Sequence, residues 1–237
     1  MTGFAEVTFA SLVTPLLLLW SIFLLDLWLG DPVYRFHPIR LIGSLLIYLE
    51  RWLFARGWNG YTGGILLGLL LLGIVLGCYF LLQKLFGSLH PVLGWSLDLF
   101  LGYSLLALRD LEIHGFRVWR ATAEDNLMEA REEISQLVGR DVERLDLAGC
   151  NRATLESLSE NLSDGVVSPL IWLTLVGIPG MLAFKVISTM DSMVGYRNSR
   201  YLRFGWFGAR ADDLMNWVPA RLTWVLLSIS AWVLPGY

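Results

Sequence analysis

The sequence has little charge and almost no lysine. Asp, Glu, Lys and Arg make up 16% of its 237 residues, whereas soluble domains carry ~25%. Only two of the eighteen cationic residues are lysines, Lys84 and Lys185, and the formal net charge is −3. This balance excludes the strongly basic surface that nucleic-acid-binding proteins use, so no nucleic-acid partner is expected.

Cysteine is also scarce. Cys78 lies in an apolar run and Cys150 in a polar one, and together they form neither a disulfide framework nor a metal motif. We interpret both as packing thiols, which excludes a small disulfide-stapled secreted domain. Internal repeats, low-complexity tracts and the alternation typical of β-strands are lacking too, so the sequence predicts an all-α protein.

Long apolar runs dominate what is present. Apolar residues make up 55% of the chain, Trp, Phe and Tyr are frequent, and the mean hydropathy is +0.57. A helix crosses the ~30 Å hydrocarbon core with ~20 apolar residues. Predicted spans cover about 9–29, 61–82, 89–108 and 219–237. The first lacks the basic leader and cleavage site of a signal peptide, so we expect a retained helix and one polytopic membrane domain over 1–237.

A fifth apolar stretch, about 166–187, is interrupted by Gly177-Ile178-Pro179-Gly180. Proline removes a helix hydrogen bond, and each half of the stretch would be ~15 Å long at 1.5 Å per residue. We therefore predict a re-entrant helical hairpin that returns to its own side of the membrane. A crossing segment would instead place the arginines of 197–210 outside, against the positive-inside rule.

The predicted topology puts the N-terminus outside and the polar segments inside the cell membrane, which in bacteria is the inner membrane. Segments 31–59, 109–161 and 198–220 are then cytoplasmic, and Lys84 is the cation left outside. The insert 109–161 predicts an amphipathic helix from Leu127 that ends at Gly139, and a second helix over 148–161. Irregular backbone at membrane depth needs a protein-lined or wet cavity, so we expect the site at the cytoplasmic mouth of the hairpin.

Polar residues of the kind used in catalysis flank that hairpin. The acidic ones are Glu160, Asp164, Asp191, Asp212 and Asp213. Oxygen ligands of this kind suit Mg²⁺ that carries nucleotide phosphates, and Lys185, Arg197 and Arg221 would hold phosphate oxygens. No Walker A loop or kinase signature is present, so spacing alone does not identify ATP.

Structural roles compete with these assignments. Glu160, Asn161 and Asp164 would cap the N-terminus of the re-entrant helix. Asp212 and Asp213 would cap the last helix or pair with Arg210. Asp191 would form an ion pair, and His37 would be a turn residue at the membrane interface. Asp98 lies ten residues into a predicted span, where a carboxylate is either functional or hydrogen-bonded to a neighbouring helix.

Five stretches occur in the same order as in a known family. They are Leu24–Arg40 (with L-L-D-L-W-L-G-D-P and F-H-P-I-R), Val138–Asp141 (V-G-R-D), Glu156–Leu170 (E-S-L-S-E-N-L-S-D-G-V-V-S-P-L), Ser188–Asn198 (S-T-M-D-S-M-V-G-Y-R-N) and Ala211–Thr223 (A-D-D-L-M-N-W-V-P-A-R-L-T). On these motifs the chain resembles the CbiB/CobD family, the adenosylcobinamide-phosphate synthases of cobalamin biosynthesis. Family members usually continue beyond the last of these stretches, so we expect a shortened or variant form.

The resemblance implies a membrane ligase that joins aminopropanol, or its O-phosphate, to a carboxylate of adenosylcobyric acid with ATP and Mg²⁺. Glu160, Asp164 and Asp191 would then hold Mg²⁺, with Asp212 and Asp213 as further ligands. Asp191, Lys185 and His37 would act in catalysis, His37 or a carboxylate taking the proton of the amine. Nucleotide and substrate phosphates would be bound by Arg197, Arg221, Arg40, Asn161, Ser163, Gly165 and Ser192.

Two non-enzymatic functions remain as alternatives at the level of sequence. A related membrane sensor or regulator would not need five carboxylates around one hairpin. A small transporter would be expected to show inverted repeats, which the sequence lacks. Complementation of a strain that cannot amidate cobyric acid distinguishes these possibilities. A homo-oligomer, or association with other membrane enzymes of the pathway, is compatible with the sequence.

Overall fold

The computed structural model describes residues 2–30, 34–139 and 141–234, with side chains from residue 15 onward. This part of the chain is helical and contains no strand. The helices are α1 (Thr2–Leu29), α2 (Pro38–Phe54), α3 (Tyr61–Leu89), α4 (Pro91–Ser104), α5 (Leu108–Ala123), α6 (Leu127–Ser135), α7 (Leu147–Leu162), a π turn (Ser163–Val167), α8 (Ser168–Val176), α9 (Ile178–Val194), α10 (Trp206–Met215) and α11 (Trp217–Val233). The all-α prediction is confirmed for these residues.

Helix α9 is the centre of the molecule. It packs against α2, α3, α4, α8 and α10, and its buried side chains include Met181, Phe184, Val186 and Met190. A helix buried on nearly all sides has to be apolar around most of its circumference, as the sequence of α9 is over 178–190. Neighbouring helices are therefore positioned by their contacts with α9.

Helices α8 and α9 form a helical hairpin. The chain breaks at Gly177, whose φ of 76° lies in the left-handed region that glycine adopts without steric cost. Pro179 then occupies the first turn of α9, where its missing N–H costs no hydrogen bond. The predicted break between two helical arms is confirmed.

Glycines on α3 allow close packing of the chain that follows α9. A Cβ at Gly64 would collide with the backbone carbonyl of Phe204, and one at Gly68 would collide with the ring of Phe207. At the opposite end of the hairpin, Ile178 lies beside Gly102 of α4. The open end of the hairpin therefore lies at the Tyr61 end of α3, and its turn lies further along α3 toward Leu89.

Two helical stretches of the described chain are long and apolar enough to cross a bilayer. Tyr61–Leu89 has a window of mean hydropathy 2.8, and Pro91–Ala123, which bends after Ser104, has one of 1.4. Pro15–Leu29 and Trp217–Val233 are shorter apolar helices. Several apolar helices are consistent with a membrane protein. The last three residues of the predicted span 219–237 lie outside the described residues.

Helices α4 and α2 differ from the sequence-based expectation. Helix α4 has only 14 residues, ~21 Å, because the chain bends at Leu105–Ala107. In addition, α2 was expected only as part of a cytoplasmic segment, yet it is a 17-residue amphipathic helix with Ile42, Leu46 and Leu53 in the core.

The insert between α4 and α8 forms a small core of its own. Helices α5, α6 and α7 enclose Val118, Ala130, Ile134 and Cys150. The predicted amphipathic helix from Leu127 exists but ends at Ser135, and the predicted helix 148–161 corresponds to α7. Cys150 is buried and is a packing thiol, as predicted, whereas Cys78 is exposed.

Candidate functional site

Four of the five carboxylates lie at the C-terminal ends of helices. Glu160 is in the last turn of α7, Asp191 in the last turn of α9, and Asp212 and Asp213 in the last turn of α10. The fifth, Asp164, lies in the π turn that follows α7. The C-terminal end of a helix carries the negative end of its dipole. Acidic residues at these positions lower the stability of the folded protein, so their presence favours a functional role.

These carboxylates lie close enough to influence one another. Burial raises the pKa of Asp164 to about 6, helped by the negative charge of Glu160 and opposed by Lys185. Burial likewise raises the pKa of Asp212 to about 6, and the charges of Asp164, Asp191 and Asp213 add to the rise. The tertiary structure thus brings together acidic residues that the sequence separates by as many as 53 positions.

Asp191 connects the two sides of this cluster. Its pKa is raised by burial first, then by the charge of Asp213 and then by that of Glu160. We call the group Glu160, Asp164, Asp191, Asp212 and Asp213 the acidic cluster. The stretches of the sequence before and after the hairpin therefore meet in one place.

Lys185 approaches the acidic cluster through a gap in the backbone hydrogen bonding. In the π turn, the N–H of Ser168 donates to the carbonyl of Ser163, one residue further back than in an α-helix. The next residue, Pro169, has no N–H to offer the carbonyl of Asp164. The ammonium of Lys185 donates to that carbonyl oxygen instead, at 3.0 Å. The π turn and Pro169 together create the acceptor that holds Lys185.

Asn216 is a site residue that was not selected from the sequence. Its amide donates to Asp212 Oδ2 at 3.0 Å, and its carbonyl oxygen accepts from the hydroxyl of Ser168 at 2.5 Å. Hydrogen bonding to Asn216 also lowers the pKa of Asp164. The available signal was its position four residues after Asp212, which puts both side chains on one helical face.

Two clefts open beside the acidic cluster. The first has a volume of about 710 Å³, and its lining includes Glu156, Glu160, Asn161, Asp191 and Ser192. The second has a volume of about 500 Å³, and its lining includes Tyr61, Arg197, Trp206, Arg210 and Asp213. Gly195 and Tyr196 line both clefts. These two residues therefore form the wall between them.

Among the predicted site residues that line neither cleft are His37, Arg40 and Arg221. His37 is buried against the ring of Tyr34, with 5.2 Å between ring centroids, where Tyr34 also bonds to Ser104 at the end of α4. Arg40 is exposed at the start of α2, and Arg221 stacks on Trp217 of its own helix, α11. The sequence placed them by chain order, which does not fix their distance from the acidic cluster.

The remaining predicted phosphate ligands, Asn161, Ser163, Gly165 and Ser192, differ in their exposure. Ser163 is buried in the π turn, Asn161 donates to the backbone and hydroxyl of Ser157, and Ser192 is exposed at the first cleft. Gly165 lies near Ala107 and Leu111 of α5, with room for a Cβ. Gly165 therefore faces protein rather than either cleft.

The donor set fits a magnesium ion shared with phosphate better than a closed protein cage. Among the described residues, no three His, Cys, Asp or Glu side chains are arranged to hold a metal ion. Mg²⁺ usually binds through one or two carboxylates, waters and substrate phosphates. Asp212 Oδ1 and Ser163 Oγ are buried and have no hydrogen-bond partner in the described part of the chain. Buried oxygens of this kind need a ligand or water.

The structure distinguishes between several of the capping and pairing roles that compete with a functional role for these residues. The α7 helix continues through the π turn into α8, so Glu160, Asn161 and Asp164 do not cap a helix N-terminus. Arg210 does pair with Asp213, at 3.3 Å, while α11 begins after Asn216. The expected hydrogen bonds of Asp98 to a neighbouring helix are confirmed: Tyr79 and Gln83 of α3 donate to it at 3.0 and 2.8 Å.

The fold and the site define a class: an all-α protein with several apolar helices and an acidic cluster at the open end of a helical hairpin. The model of a family described as CobD/Cbib protein matches residues 19–234. The chain belongs to this family, and the resemblance drawn from the five motifs is confirmed. Arg140 of V-G-R-D and Asp31 and Pro32 of the first motif lie outside the described residues.

Curated relatives agree with this assignment. The chain is 41% identical over 215 residues to the "Cobalamin biosynthesis protein CobD" of Yersinia enterocolitica, covering 90% of this chain and 68% of the relative. It is 43% identical to the protein of that name from Geobacter metallireducens, covering 88% and 65%. The "Cobalamin biosynthesis protein CbiB" of Salmonella typhimurium is 37% identical, covering 91% and 69%. The chain thus spans about two thirds of the length of these relatives. No solved structure matches it.

Proposed function

We propose that this protein acts in cobalamin biosynthesis as an ATP- and Mg²⁺-dependent ligase. It would join aminopropanol, or aminopropanol O-phosphate, to a carboxylate of adenosylcobyric acid. The names of its relatives support the pathway. The observation that carries the reaction type is the acidic cluster, in which burial and mutual repulsion raise three pKa values around a single lysine.

Amide formation from a carboxylate needs an activated acyl group. In the proposed reaction the carboxylate oxygen of the corrinoid attacks the γ-phosphorus of ATP, which gives an acyl phosphate and releases ADP. One or two of the carboxylates of Glu160, Asp164 and Asp191, together with water and phosphate oxygens, would bind Mg²⁺, which would neutralise phosphate charge when bound. Lys185, held beside Asp164, would stabilise the charge that develops on the transferred phosphoryl group.

The second step transfers the acyl group to the amine. The amine nitrogen attacks the acyl carbon, phosphate leaves, and the nitrogen loses a proton. A base works best when its pKa is close to the working pH. Asp164 and Asp212, with pKa values of about 6, meet this condition. We assign the proton to Asp212, which is not one of the three carboxylates assigned to Mg²⁺, rather than to His37, which is buried against the ring of Tyr34.

We also propose that the protein spans the cell membrane several times, with the N-terminus outside and both clefts facing the cytoplasm. The turn of the hairpin lies near Gly102, and Tyr79 bonds to Asp98 one helical turn away. Helix α3 continues beyond Tyr79 for ten residues, ~15 Å. If α3 crosses the bilayer, this geometry supports a hairpin that dips into the membrane without crossing it.

The reaction is tested with the purified full chain in lipid nanodiscs. We expect ATP-dependent conversion of adenosylcobyric acid and aminopropanol, or its O-phosphate, to the amide, followed by chromatography and mass spectrometry. Asp191→Asn should lower the rate at least about a hundredfold, the order seen when one charge-stabilising group is removed from an active site. Protein yield and membrane insertion should be unchanged.

Asp125→Asn is the matched control. Asp125 is exposed and has a φ of 53°, which asparagine adopts readily, so this variant should keep full activity. Wild-type protein that binds no nucleotide and does not complement a strain unable to amidate cobyric acid would contradict the proposal and favour a regulator. Full activity of Asp191→Asn would remove Asp191 from the site.

A further inference from the structure

The two clefts differ in the sign of their charge. The described residues that line the first include three carboxylates, those of Glu156, Glu160 and Asp191, and no Lys, Arg or His. The second contains two arginines, Arg197 and Arg210, and one carboxylate, Asp213. Complementary charge selects ligands. The first cleft therefore suits a cation, and the second suits an anion.

Arg197 is the cation of the second cleft that is available to a ligand. Arg210 already pairs with Asp213 at 3.3 Å. Arg197 is exposed, and it forms no hydrogen bond or ion pair with any residue in the described part of the chain. Its guanidinium offers a planar pair of donors that matches a carboxylate.

The second cleft also presents flat aromatic surface. Tyr61, Tyr196 and Trp206 are 50%, 59% and 45% exposed, and the rings of Tyr61 and Trp206 meet edge to face with centroids 5.8 Å apart. Aromatic faces combined with a few placed polar groups are typical of sites for planar organic ligands, and the volume lies within the usual ~300–1,000 Å³. Such a lining fits one edge of a large conjugated macrocycle.

The loop between α9 and α10, which carries Arg197, is held by contacts with α9 and with α2. A Cβ at Gly205 would collide with the carbonyl of Val194, which brings the end of the loop against the end of α9. Within the loop, the buried carboxylate of Glu50 accepts hydrogen bonds from Arg200 at 2.8 Å and from Tyr201 at 2.9 Å. Arg197 is thereby presented on a loop that is fixed to α2 and α9.

We propose that the second cleft binds the corrinoid by its planar ring and reactive carboxylate, with Arg197 as the carboxylate ligand. The first cleft is then left for the Mg²⁺-bound nucleotide. The proposal rests on the proposed function and moves Arg197 from the nucleotide to the corrinoid. Gly195, which lines both clefts, lies directly against Asp191, because a Cβ at this position would collide with its carboxylate. A carboxylate held by Arg197 lies close to the acidic cluster.

The test compares two ligands that differ at one group. Binding of adenosylcobyric acid and of adenosylcobinamide, in which that carboxylate is amidated, is measured by equilibrium dialysis without nucleotide. Wild-type protein should prefer the free carboxylate. Arg197→Gln should weaken adenosylcobyric acid about tenfold, the order expected for one charge-assisted hydrogen bond, and should leave adenosylcobinamide almost unchanged.

Arg203→Gln is the matched control, because Arg203 lies on the same loop, is exposed, and lines a different pocket beside Phe54. It should keep the wild-type preference. Binding of Mg²⁺ with a non-hydrolysable ATP analogue is measured on the same variants and should be unaffected by Arg197→Gln.

Two results would overturn the assignment and leave the proposed function standing. One is an Arg197→Gln variant that binds both corrinoids like the Arg203→Gln control. The other is a variant that keeps its preference for the free carboxylate but loses the nucleotide, which would place the nucleotide in the second cleft. Wild-type protein that binds no corrinoid at all would instead contradict the proposed function itself.

Discussion

At the scale of single residues, the acidic cluster stores unfavourable charge. Asp164 and Asp212 are partly buried, face other carboxylates, and have Lys185 as the cation that lowers the pKa of Asp164. Each therefore holds its proton more tightly in the folded protein than in the unfolded chain. Folding stability then depends on pH, and binding of a divalent cation would relieve the repulsion.

The first prediction at this scale concerns Asp212. Its pKa is ~4 in an unfolded chain and about 6 in the folded protein. Between these values the folded state binds more protons, so stability should fall as pH rises from ~4 to about 6 and change little above that. Asp212→Asn should flatten this slope and raise the melting temperature at pH 7.5. The measurement is thermal unfolding in detergent with EDTA.

Asp141→Asn serves as the comparison, because Asp141 is exposed and lies outside the acidic cluster. It should leave the pH dependence as it is in the wild type. A wild-type melting temperature that rises steadily from pH 4 to pH 7 in EDTA would contradict the prediction, since it would mean that the carboxylates of the cluster are stabilised in their charged form.

At the scale of elements, the π turn decides where Lys185 and Asp164 lie. A regular α-helix through Ser163–Val167 would use the carbonyl of Asp164 within its own ladder. The π turn and Pro169 leave that carbonyl to Lys185 instead. π turns of this kind occur often at functional sites. The irregular element is thus directly connected to the position of the cation.

The prediction for this element is that Pro169→Ala restores a backbone N–H and weakens the site. The helix can then close its hydrogen bonds across the turn, which removes the acceptor of Lys185 and rotates Asp164. We expect weaker binding of Mg²⁺ with nucleotide but no loss of thermal stability, since alanine favours helix. Isothermal titration and thermal unfolding of the same preparation measure the two quantities.

Pro219→Ala, in the first turn of α11, provides the control. Its missing N–H costs no helical hydrogen bond, and it should bind the nucleotide like the wild type. Unchanged nucleotide affinity in Pro169→Ala would show that the position of Lys185 does not depend on the π turn.

At the scale of the whole molecule, the hairpin determines the topology. Its two arms end in the acidic cluster, where Asp164 and Asp191 interact. Both ends must therefore lie on the same side of any membrane that α3 crosses. A crossing hairpin would instead place Arg197, Arg200, Arg203 and Arg210 outside, which the positive-inside rule disfavours.

The corresponding prediction uses single cysteines in a chain from which Cys78 and Cys150 have been replaced by alanine. Ser159→Cys and Ser199→Cys, before and after the hairpin, are both exposed and should react with a membrane-impermeant maleimide only from the cytoplasmic side. Ser88→Cys, at the far end of α3, should react from the outside. Opposite reactivity of the first two sites would exclude a re-entrant hairpin.

The local features of this protein follow from the amino-acid sequence alone. Helical periodicity and the length of apolar runs predicted the all-α class, helix α7 and the amphipathic helix from Leu127. Gly177 and Pro179 predicted the break between α8 and α9. These features depend on residues a few positions apart, so that backbone propensity and hydrophobic pattern are sufficient. Residue type also identified the members of the acidic cluster, because a carboxylate next to an apolar segment is unfavourable unless it has a partner or a function.

Which of the predicted site residues lie close together depends on the packing of the helices. The contact of Ser168 with Asn216 joins positions 48 residues apart, and no local pattern encodes such a distance. For the same reason the sequence could not separate the residues that line the first cleft, such as Glu160 and Asp191, from His37, Arg40 and Arg221, which line neither cleft, and it missed Asn216 and the second cleft. Their positions depend on how whole helices pack around α9, where burial of apolar surface outweighs the preferences of any single residue.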